Sequence, residues 1–248
     1  MKKQLLLLTM MALALPLSAQ NTYYVMEVEN NKGNVTTFKI DDIKEVRFKE
    51  KEEDDDVNPV INVRAQYDSR FVSIFGQPSP NQDWGFHTPT RSQGYGNIRI
   101  IAEELLESGN NDFDFNDAVF DVEFISNNEA KITLLAAGGT LPMCIGDTNH
   151  EIHQLYGVST STMVNTGLFT LNPVTFSITG NFNGMAINIP IMVKKSNGEW
   201  LELSAFPGEP ASKIAVTTGY EWSSEHEIIT MKYPSFKDWV ADPIISWY

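Results

Sequence analysis

The segment Asp112-Phe-Asp-Phe-Asn-Asp-Ala-Val-Phe-Asp-Val-Glu-Phe124 changes its pattern of polar and apolar residues partway along. From Ala118 onward, apolar residues alternate with acids in the two-residue repeat of a β-strand with one buried face. Before Ala118 the alternation has the opposite phase, with polar residues at the even positions of 112–116. One uninterrupted strand cannot keep both halves on the same core. The segment therefore predicts a turn or bulge at Asn116-Asp117, followed by a strand.

A turn at this point brings several oxygen-bearing side chains together, while Phe113 and Phe115 bury their rings and hold the loop in place. Ca²⁺ takes about six to eight oxygen ligands, often from Asp and Asn residues one position apart. The segment lacks the glycine and distal glutamate of an EF-hand, and it contains no Cys or His that would favour zinc. The pattern predicts a structural calcium site, with a solvated acidic turn as the alternative. The candidate ligands are Asp112, Asp114, Asn116, Asp117 and Asp121.

Short predicted strands continue to the C-terminus, separated by turn pairs such as Asn127-Asn128 and Asn183-Gly184. Two segments have helical patterns instead: Glu151–Tyr156, which ends at Gly157, and Ser235–Ala241, which follows a proline. This arrangement predicts an all-β domain, a sandwich or jelly roll with one or two short helices. The predicted strands are 98–101, 118–125, 130–136, 170–178, 186–193, 199–203 and 213–216.

The N-terminal residues 1–19 have the three regions of a secretory signal peptide. Lys2 and Lys3 precede an apolar stretch from Leu5 to Leu15, and small residues precede a cut after Ala19. The sequence therefore predicts export to the periplasm, the outer surface or the medium. No second long apolar run follows, so we expect no membrane span.

Residues 20–49 have the pattern of a small β unit. Predicted strands at Tyr23–Glu29 and Val35–Ile40 flank a hairpin turn, and a third strand is expected at Lys44–Lys49. Residues 50–59 are too charged to be buried and end in proline, which indicates an exposed acidic linker. The β-sandwich domain is expected to occupy residues 60–248.

Charge and cysteine content exclude several classes of protein. The chain carries a formal charge of −14, and loss of Lys2 and Lys3 with the signal peptide would leave −16. Such a charge disfavours nucleic acid and anionic lipid as partners. The single cysteine, Cys144, rules out a framework of internal disulfides and is expected to be a small buried residue.

Motifs of catalysis are weak in this sequence. His150 and His153 are three residues apart, whereas the zinc-protease motif needs four, so we expect surface histidines on a short helix. Ser159–Thr162 lacks a nucleophile elbow, and no glycine pattern for phosphate or dinucleotide binding is present. The sequence therefore predicts a protein that is not an enzyme.

Several motifs together resemble the LruC-domain family of exported proteins from Bacteroides-type bacteria. The resemblance extends from about residue 65 to the C-terminus. It is carried by the acidic motif and by several other segments that occur in the same order. The N-terminal unit is similar to small β units that precede exported domains in these bacteria. The family pattern has Glu-Asp where this chain has Glu103-Glu104, which leaves Glu103 as a further candidate ligand and does not support Glu104. The segments are Ile98-Arg-Ile-Ile-Ala-Glu-Glu-Leu105, Asp112–Asp121, His150-Glu-Ile-His-Gln-Leu-Tyr-Gly157, Asn165-Thr-Gly167, Lys232–Trp239 and Trp247-Tyr248.

These observations predict a secreted, calcium-stabilised module of the surface or periplasm that mediates interaction or adhesion. The alternative is a glycan-binding or glycan-processing component of the cell envelope. Trp84, in the loop-like stretch Asn81–Phe86, is the candidate ligand-binding residue for that alternative because exposed tryptophans stack on sugars. The expected partner is a glycan or a surface protein, and the oligomeric state stays open.

Overall fold

A computed structural model of the chain describes residues 25–29, 35–39, 61–62, 64–85, 98–104, 111–167 and 169–248. The chain divides into two units, Met1–Asp54 and Asp55–Tyr248. The predicted signal peptide 1–19, the predicted strand 44–49 and the predicted acidic linker 50–59 lie outside the described residues.

In the first unit, strands β1 (Val25–Glu29) and β2 (Val35–Lys39) form an antiparallel pair. Glu29 lies opposite Val35, which is the register expected when a short turn joins the two strands. The predicted hairpin pairing of this unit is therefore confirmed.

The second unit contains nine strands and four α-helices among the described residues. They are β3 (Ile61–Asn62), α1 (Arg64–Phe75), β4 (Ile98–Ala102), β5 (Ala118–Ser126), β6 (Glu129–Ala136), β7 (Met143–Ile145), α2 (Ile152–Tyr156), β8 (Val174–Thr179), β9 (Ile191–Lys194), β10 (Trp200–Glu202), β11 (Lys213–Thr217), α3 (Ile229–Lys232) and α4 (Phe236–Ala241).

These strands form two sheets. The larger sheet has the order β11-β4-β5-β6-β8 and is antiparallel throughout, while the smaller has the order β3-β10-β9-β7 with only β3 parallel to its neighbour. Strand β4 is wholly buried, as its run of isoleucines requires, and β5 buries Phe120, Val122 and Phe124 on one face. The fold is thus mostly β, and a common hydrophobic core contains residues of both sheets. The sandwich or jelly-roll arrangement stays a prediction.

Several elements differ from the sequence-based expectation: β3, β7, α1 and α3 were not predicted, and the described residues form four α-helices where one or two were expected. In helix α1, Phe71 and Phe75 are buried and Ile74 is partly buried, and the helix ends at Gly76 with φ at 89°. The predicted strand 186–193 is wrong in its first half. Pro190 cannot donate to a ladder, so a 3₁₀ turn precedes it and β9 begins only after it.

The observed burial agrees with the prediction for Cys144 and disagrees with it for His153. Cys144 is buried, as predicted, and burial raises the pKa of its thiol to about 12. The expectation of surface histidines is wrong for His153, which is fully buried on α2 and lies 3.2 Å from the Glu151 Oε1 atom through its Nδ1 atom. Among the described residues, no helix has the length and apolar character needed to span a membrane.

An aromatic cluster joins the loop before β5 to two helices. The Phe113 ring lies 5.6 Å from Phe75 on α1, and Phe75 lies 5.1 Å from Phe236 on α4, measured between ring centroids. Phe236 is in turn 4.9 Å from Trp247, and the Phe115 ring lies 6.0 Å from Phe236. The loop is therefore held from behind by rings that belong to distant parts of the sequence.

We expect Phe115→Ala to lower the free energy of unfolding by about 3–5 kcal/mol, because the ring is fully buried and its removal leaves a cavity. Urea unfolding followed by tryptophan fluorescence measures the change. The matched control is Phe169→Ala, at a ring that is 45% exposed, with an expected loss below about 1 kcal/mol. Equal losses in the two variants would contradict the anchoring role of Phe115.

Candidate metal centre

The strand register brings two acidic segments together at one end of the five-stranded sheet. Ala102 at the end of β4 lies opposite Ala118 at the start of β5. Glu103-Glu104 therefore leave the sheet where the loop Asp112–Asp117 enters it. After β6, the N–H groups of Gly138 and Gly139 donate to the carbonyls of Asn116 and Asp117, so the chain runs beside the same loop.

The loop has an unusual backbone that the sequence did not reveal. Phe113 and Phe115 both lie in the left-handed region, with φ at 54° and 55°. Their N–H groups donate to Glu103 Oε1 and Oε2 at 3.1 and 3.0 Å, so the loop forms a concave nest around that carboxylate. The sequence predicted a turn or bulge at Asn116-Asp117, whereas the left-handed residues are Phe113 and Phe115; β5 begins at Ala118, as predicted.

Three carboxylates converge at this nest. Oxygens of Glu103, Asp112 and Asp114 all lie within 4.8 Å of one another, an arrangement that could hold a metal ion. Asp114 accepts hydrogen bonds from the N–H groups of Asn116 and His226, at 3.1 and 2.9 Å. Glu103 and Asp114 are almost completely buried.

Burial and mutual repulsion perturb these acids strongly. Burial raises the pKa of Asp114 to about 8, and the neighbouring charges of Asp112 and Glu225 add to the effect. Burial, followed by the charge of Asp114, also holds the pKa of Glu103 well above its usual range. Within the described part of the chain, no lysine or arginine forms an ion pair with Asp112 or Asp114. The loop therefore needs protons or a cation to neutralise it.

The Asn116 amide is buried beside the acidic loop. Its side chain is fully buried, and its Nδ2 atom donates to the Ser223 carbonyl at 3.2 Å, which fixes the orientation of the amide. Among the residues that the structure describes, none donates a hydrogen bond to its Oδ1 atom. A Cβ atom at Gly138 would collide with this oxygen, and one at Gly139 would collide with Glu104 Oε2. The absence of side chains at these two glycines thus allows the chain to approach the loop closely.

The remaining predicted ligands have different surroundings. Asp117 is buried and accepts the Glu104 N–H; burial, followed by the charge of Glu103, raises its pKa well above its usual range. Asp121 lies apart from the convergent acids. It faces Arg99 across the β4–β5 ladder and accepts from its Nε and Nη2 atoms at 2.7 and 3.1 Å. Its charge is neutralised there, so the structure does not bring it to the candidate metal centre.

Trp84 is not an exposed platform, and the expectation that it binds a ligand through an exposed ring is corrected. Its side chain is fully buried, with ring centroids 5.7 Å from Phe71 and 5.2 Å from Trp239. The indole N–H donates to the Glu209 carbonyl. A polar loop sequence surrounds this residue, yet the ring fills the core beneath it.

Glu225 and His226 join the acidic loop, and the sequence analysis did not identify them. With Asp112 they form a second group of potential ligand atoms that all lie within 4.8 Å of one another. His226 Nδ1 is 2.6 Å from Asp112 Oδ2 and 3.5 Å from Glu225 Oε1, although 114 residues separate Asp112 from His226. No local spacing motif marks these residues, so only the tertiary fold reveals them.

Comparison of the chain with protein-family models, with curated proteins and with solved structures gives no match. The geometry of the acidic loop is therefore the main guide to function.

We expect the metal-free protein to lose stability as the pH rises from about 4 to about 8. The pKa of Asp114 rises from 3.8 to about 8 on folding, so the folded protein holds the extra proton in this window and loses its advantage as that proton leaves. Glu103 and Asp117, whose pKa values are also raised, act in the same direction. Urea unfolding with a chelator present, at several pH values, tests this.

The variant Asp114→Asn should flatten the pH dependence, whereas Glu123→Gln, at an exposed acid of β5, should follow the wild type. Metal-free stability that increases between about pH 5 and 8 would contradict the expected sign.

Proposed function

We propose that this chain is an exported, calcium-stabilised module of the LruC type that acts by binding a partner and not by catalysis. The observation that carries the proposal is the convergence of Glu103, Asp112 and Asp114 carboxylate oxygens within 4.8 Å at one end of the larger sheet. In this proposal the two sheets stack as a β-sandwich, with the ion at the edge of their common core.

The donor set favours calcium among the divalent cations. Its candidate ligands are hard oxygens from three carboxylates. Ca²⁺ prefers such oxygens and tolerates irregular geometry, whereas Mg²⁺ requires near-octahedral geometry and retains water. Zinc prefers nitrogen and sulfur, which these three acids do not offer.

The sequence features of export agree with a calcium site of modest affinity. Extracellular modules bind calcium with dissociation constants of about 10⁻⁴ to 10⁻³ M. The proposed location is the periplasm, the outer surface or the medium, as residues 1–19 indicate. The net charge of −16 expected after signal removal would also attract cations.

Burial supports a structural and not a catalytic ion. Glu103, Asp114 and Asn116 are at most 1% exposed, so a substrate has little access to an ion bound by them. The main effect of such an ion is to cancel repulsion and to hold the loop against the ends of β4 and β6. The proposed partner, a glycan or a surface protein, is then bound elsewhere on the domain.

Addition of Ca²⁺ at about tenfold above its dissociation constant should stabilise the chelated protein by about 1.4 kcal/mol, or about 3–6 °C in melting temperature. Calorimetric titration and thermal unfolding measure this. Asp114→Asn should abolish the shift. The control Glu123→Gln, which also removes one negative charge but lies outside the loop, should retain it. Absence of both binding heat and a thermal shift in the wild type would exclude the calcium role.

Glycan binding is the second candidate function, and a polar cleft favours it. The cleft has a volume of about 530 Å³ and lies beside the 3₁₀ turn and β10. Its lining includes the amides of Asn181, Asn183 and Asn188, together with Glu202 and the 39%-exposed ring of Phe206. Amides and carboxylates bind sugar hydroxyls, and an exposed ring can stack on a sugar face. Phe206, in place of Trp84, is the candidate platform.

A glycan array followed by NMR titration with the strongest binder tests this candidate. Phe206→Ala and Asn181→Ala should each weaken binding by about tenfold or more, whereas Phe169→Ala, at an exposed ring outside the cleft, should leave it unchanged. A wild-type protein that binds no glycan on the array would remove this candidate without affecting the calcium proposal.

A further inference from the structure

Lys213 on β11 is a buried cation in the lining of the polar cleft of about 530 Å³. Its side chain is only 4% exposed, and its Nζ atom donates to the Ile189 carbonyl at 2.8 Å. Ile189 directly follows the 3₁₀ turn Ala186–Asn188, so the ammonium group lies at the wall that this turn contributes to the cleft. An ammonium group has three N–H donors, and the contact with Ile189 uses one of them.

The positive charge of Lys213 has no counter-ion in the described part of the chain, where no carboxylate forms an ion pair with it. Burial lowers the pKa of its amine to about 8, and the charge of Glu202 opposes this decrease without cancelling it. A buried ammonium group without a counter-ion is unfavourable, and a bound anion would relieve that cost. The cleft therefore combines space for a ligand with a charge that an anion would neutralise.

We propose that this cleft binds a sugar that carries a carboxylate, and that the Lys213 ammonium group pairs with that carboxylate. The inference rests on the second candidate function, glycan binding in the cleft, and adds the chemical class of the sugar. It also assigns Lys213 as the residue that distinguishes acidic sugars from neutral ones.

Other polar groups of the lining suit the hydroxyl groups of a sugar. The side-chain amides of Asn181 and Asn183 are exposed and form no hydrogen bond within the chain, so their donors and acceptors are both available. Asn188 donates through Nδ2 to the Phe182 carbonyl at 3.0 Å, which leaves its Oδ1 atom to accept. Sugar hydroxyls donate and accept hydrogen bonds, so this set of amides can hold the uncharged part of the ring.

The balance of charges favours a ligand with a single negative charge. Lys213 is the only cation among the described residues of the lining, which also includes the acids Asp83 and Glu202. A phosphate, with about −1.5 to −2 charge at neutral pH, or a heavily sulfated glycan would be repelled by these two acids and by the net charge of −14. A carboxylate carries one charge, and its hydrogen bonds with an ammonium group belong to the stronger, charge-assisted kind.

NMR titration of the full chain with matched glycosides tests the proposal. The probes are methyl glucuronide with methyl glucoside, methyl galacturonide with methyl galactoside, and the methyl glycoside of N-acetylneuraminic acid with its methyl ester. Within each pair the ring is the same and only one member carries a carboxylate. At least one acidic member should bind about tenfold or more tightly than its neutral partner, because only the acidic member forms charge-assisted hydrogen bonds with Lys213.

Three variants identify the residue that recognises the carboxylate. Lys213→Met should bring the ratio of acidic to neutral affinity to about one and retain binding of the neutral member. Glu202→Gln should raise the ratio, because it removes a negative charge from the cleft and leaves the lysine in place. Lys131→Met, at an exposed lysine of β6 outside the cleft, is the matched control and should keep the wild-type ratio. Thermal unfolding establishes that each variant is folded.

Each contrary result has a separate meaning. Equal affinity for the acidic and neutral members in the wild type would overturn the inference and leave neutral glycans as candidates. A ratio that persists in folded Lys213→Met would exclude Lys213 as the recognising cation; if that variant does not fold, an unchanged ratio in Glu202→Gln overturns the inference instead. Absence of binding to all six glycosides would overturn it as well, whereas the glycan array decides glycan binding in general and the calcium titration decides the metal role.

Discussion

Carboxylates that share a buried volume repel one another, and the end of the five-stranded sheet is organised around that repulsion. Glu103, Asp114 and Asp117 are all buried, and backbone N–H groups offset only part of the cost of charging them. The folded state must therefore take up protons or a cation. Stability, pH and cation binding form one linked equilibrium in such a protein.

The acids are held in this arrangement by the rings on the other side of the loop. A left-handed conformation costs a bulky residue about 1–3 kcal/mol, and burying a phenylalanine ring contributes about 1.5–3 kcal/mol in return. Phe113 and Phe115 combine both effects in alternate positions, so the aromatic cluster maintains a backbone that an isolated peptide would avoid. The aromatic cluster thus holds together the acidic side chains that could bind an ion.

The parts of the site that depend on a local sequence pattern could be predicted from the sequence. The start of β5 at Ala118 and the burial of Phe113 and Phe115 come from a two-residue repeat and its change of phase. The same pattern also suggested Asp121 as a ligand. That prediction failed because Asp121 pairs with Arg99 of β4, and strand pairing cannot be read from a local pattern.

Other features depend on long-range packing. Trp84 lies in a polar segment, so its sequence neighbours did not indicate that it is buried. Its ring is covered by residues of α1 and α4. Glu225 and His226 occupy a turn that carries no motif, and only the tertiary approach of the C-terminal segment brings them next to the acidic loop. The left-handed φ angles of Phe113 and Phe115 were likewise hidden, since glycine or asparagine normally marks such positions.

The long sequence separation within the acidic centre has a consequence for the kinetics of folding. Strands β5 and β6 are joined by a two-residue turn and can pair early, whereas contact between Asp112 and His226 closes a loop of 114 residues. The acids of the loop lie close together in sequence, but the C-terminal segment that covers Asp114 and Asn116 arrives only when folding is nearly complete, so the full cost of charging the buried acids appears late. A cation that binds at this late stage acts after the main barrier, so it should slow the opening of the finished domain and have little influence on how fast the domain first forms.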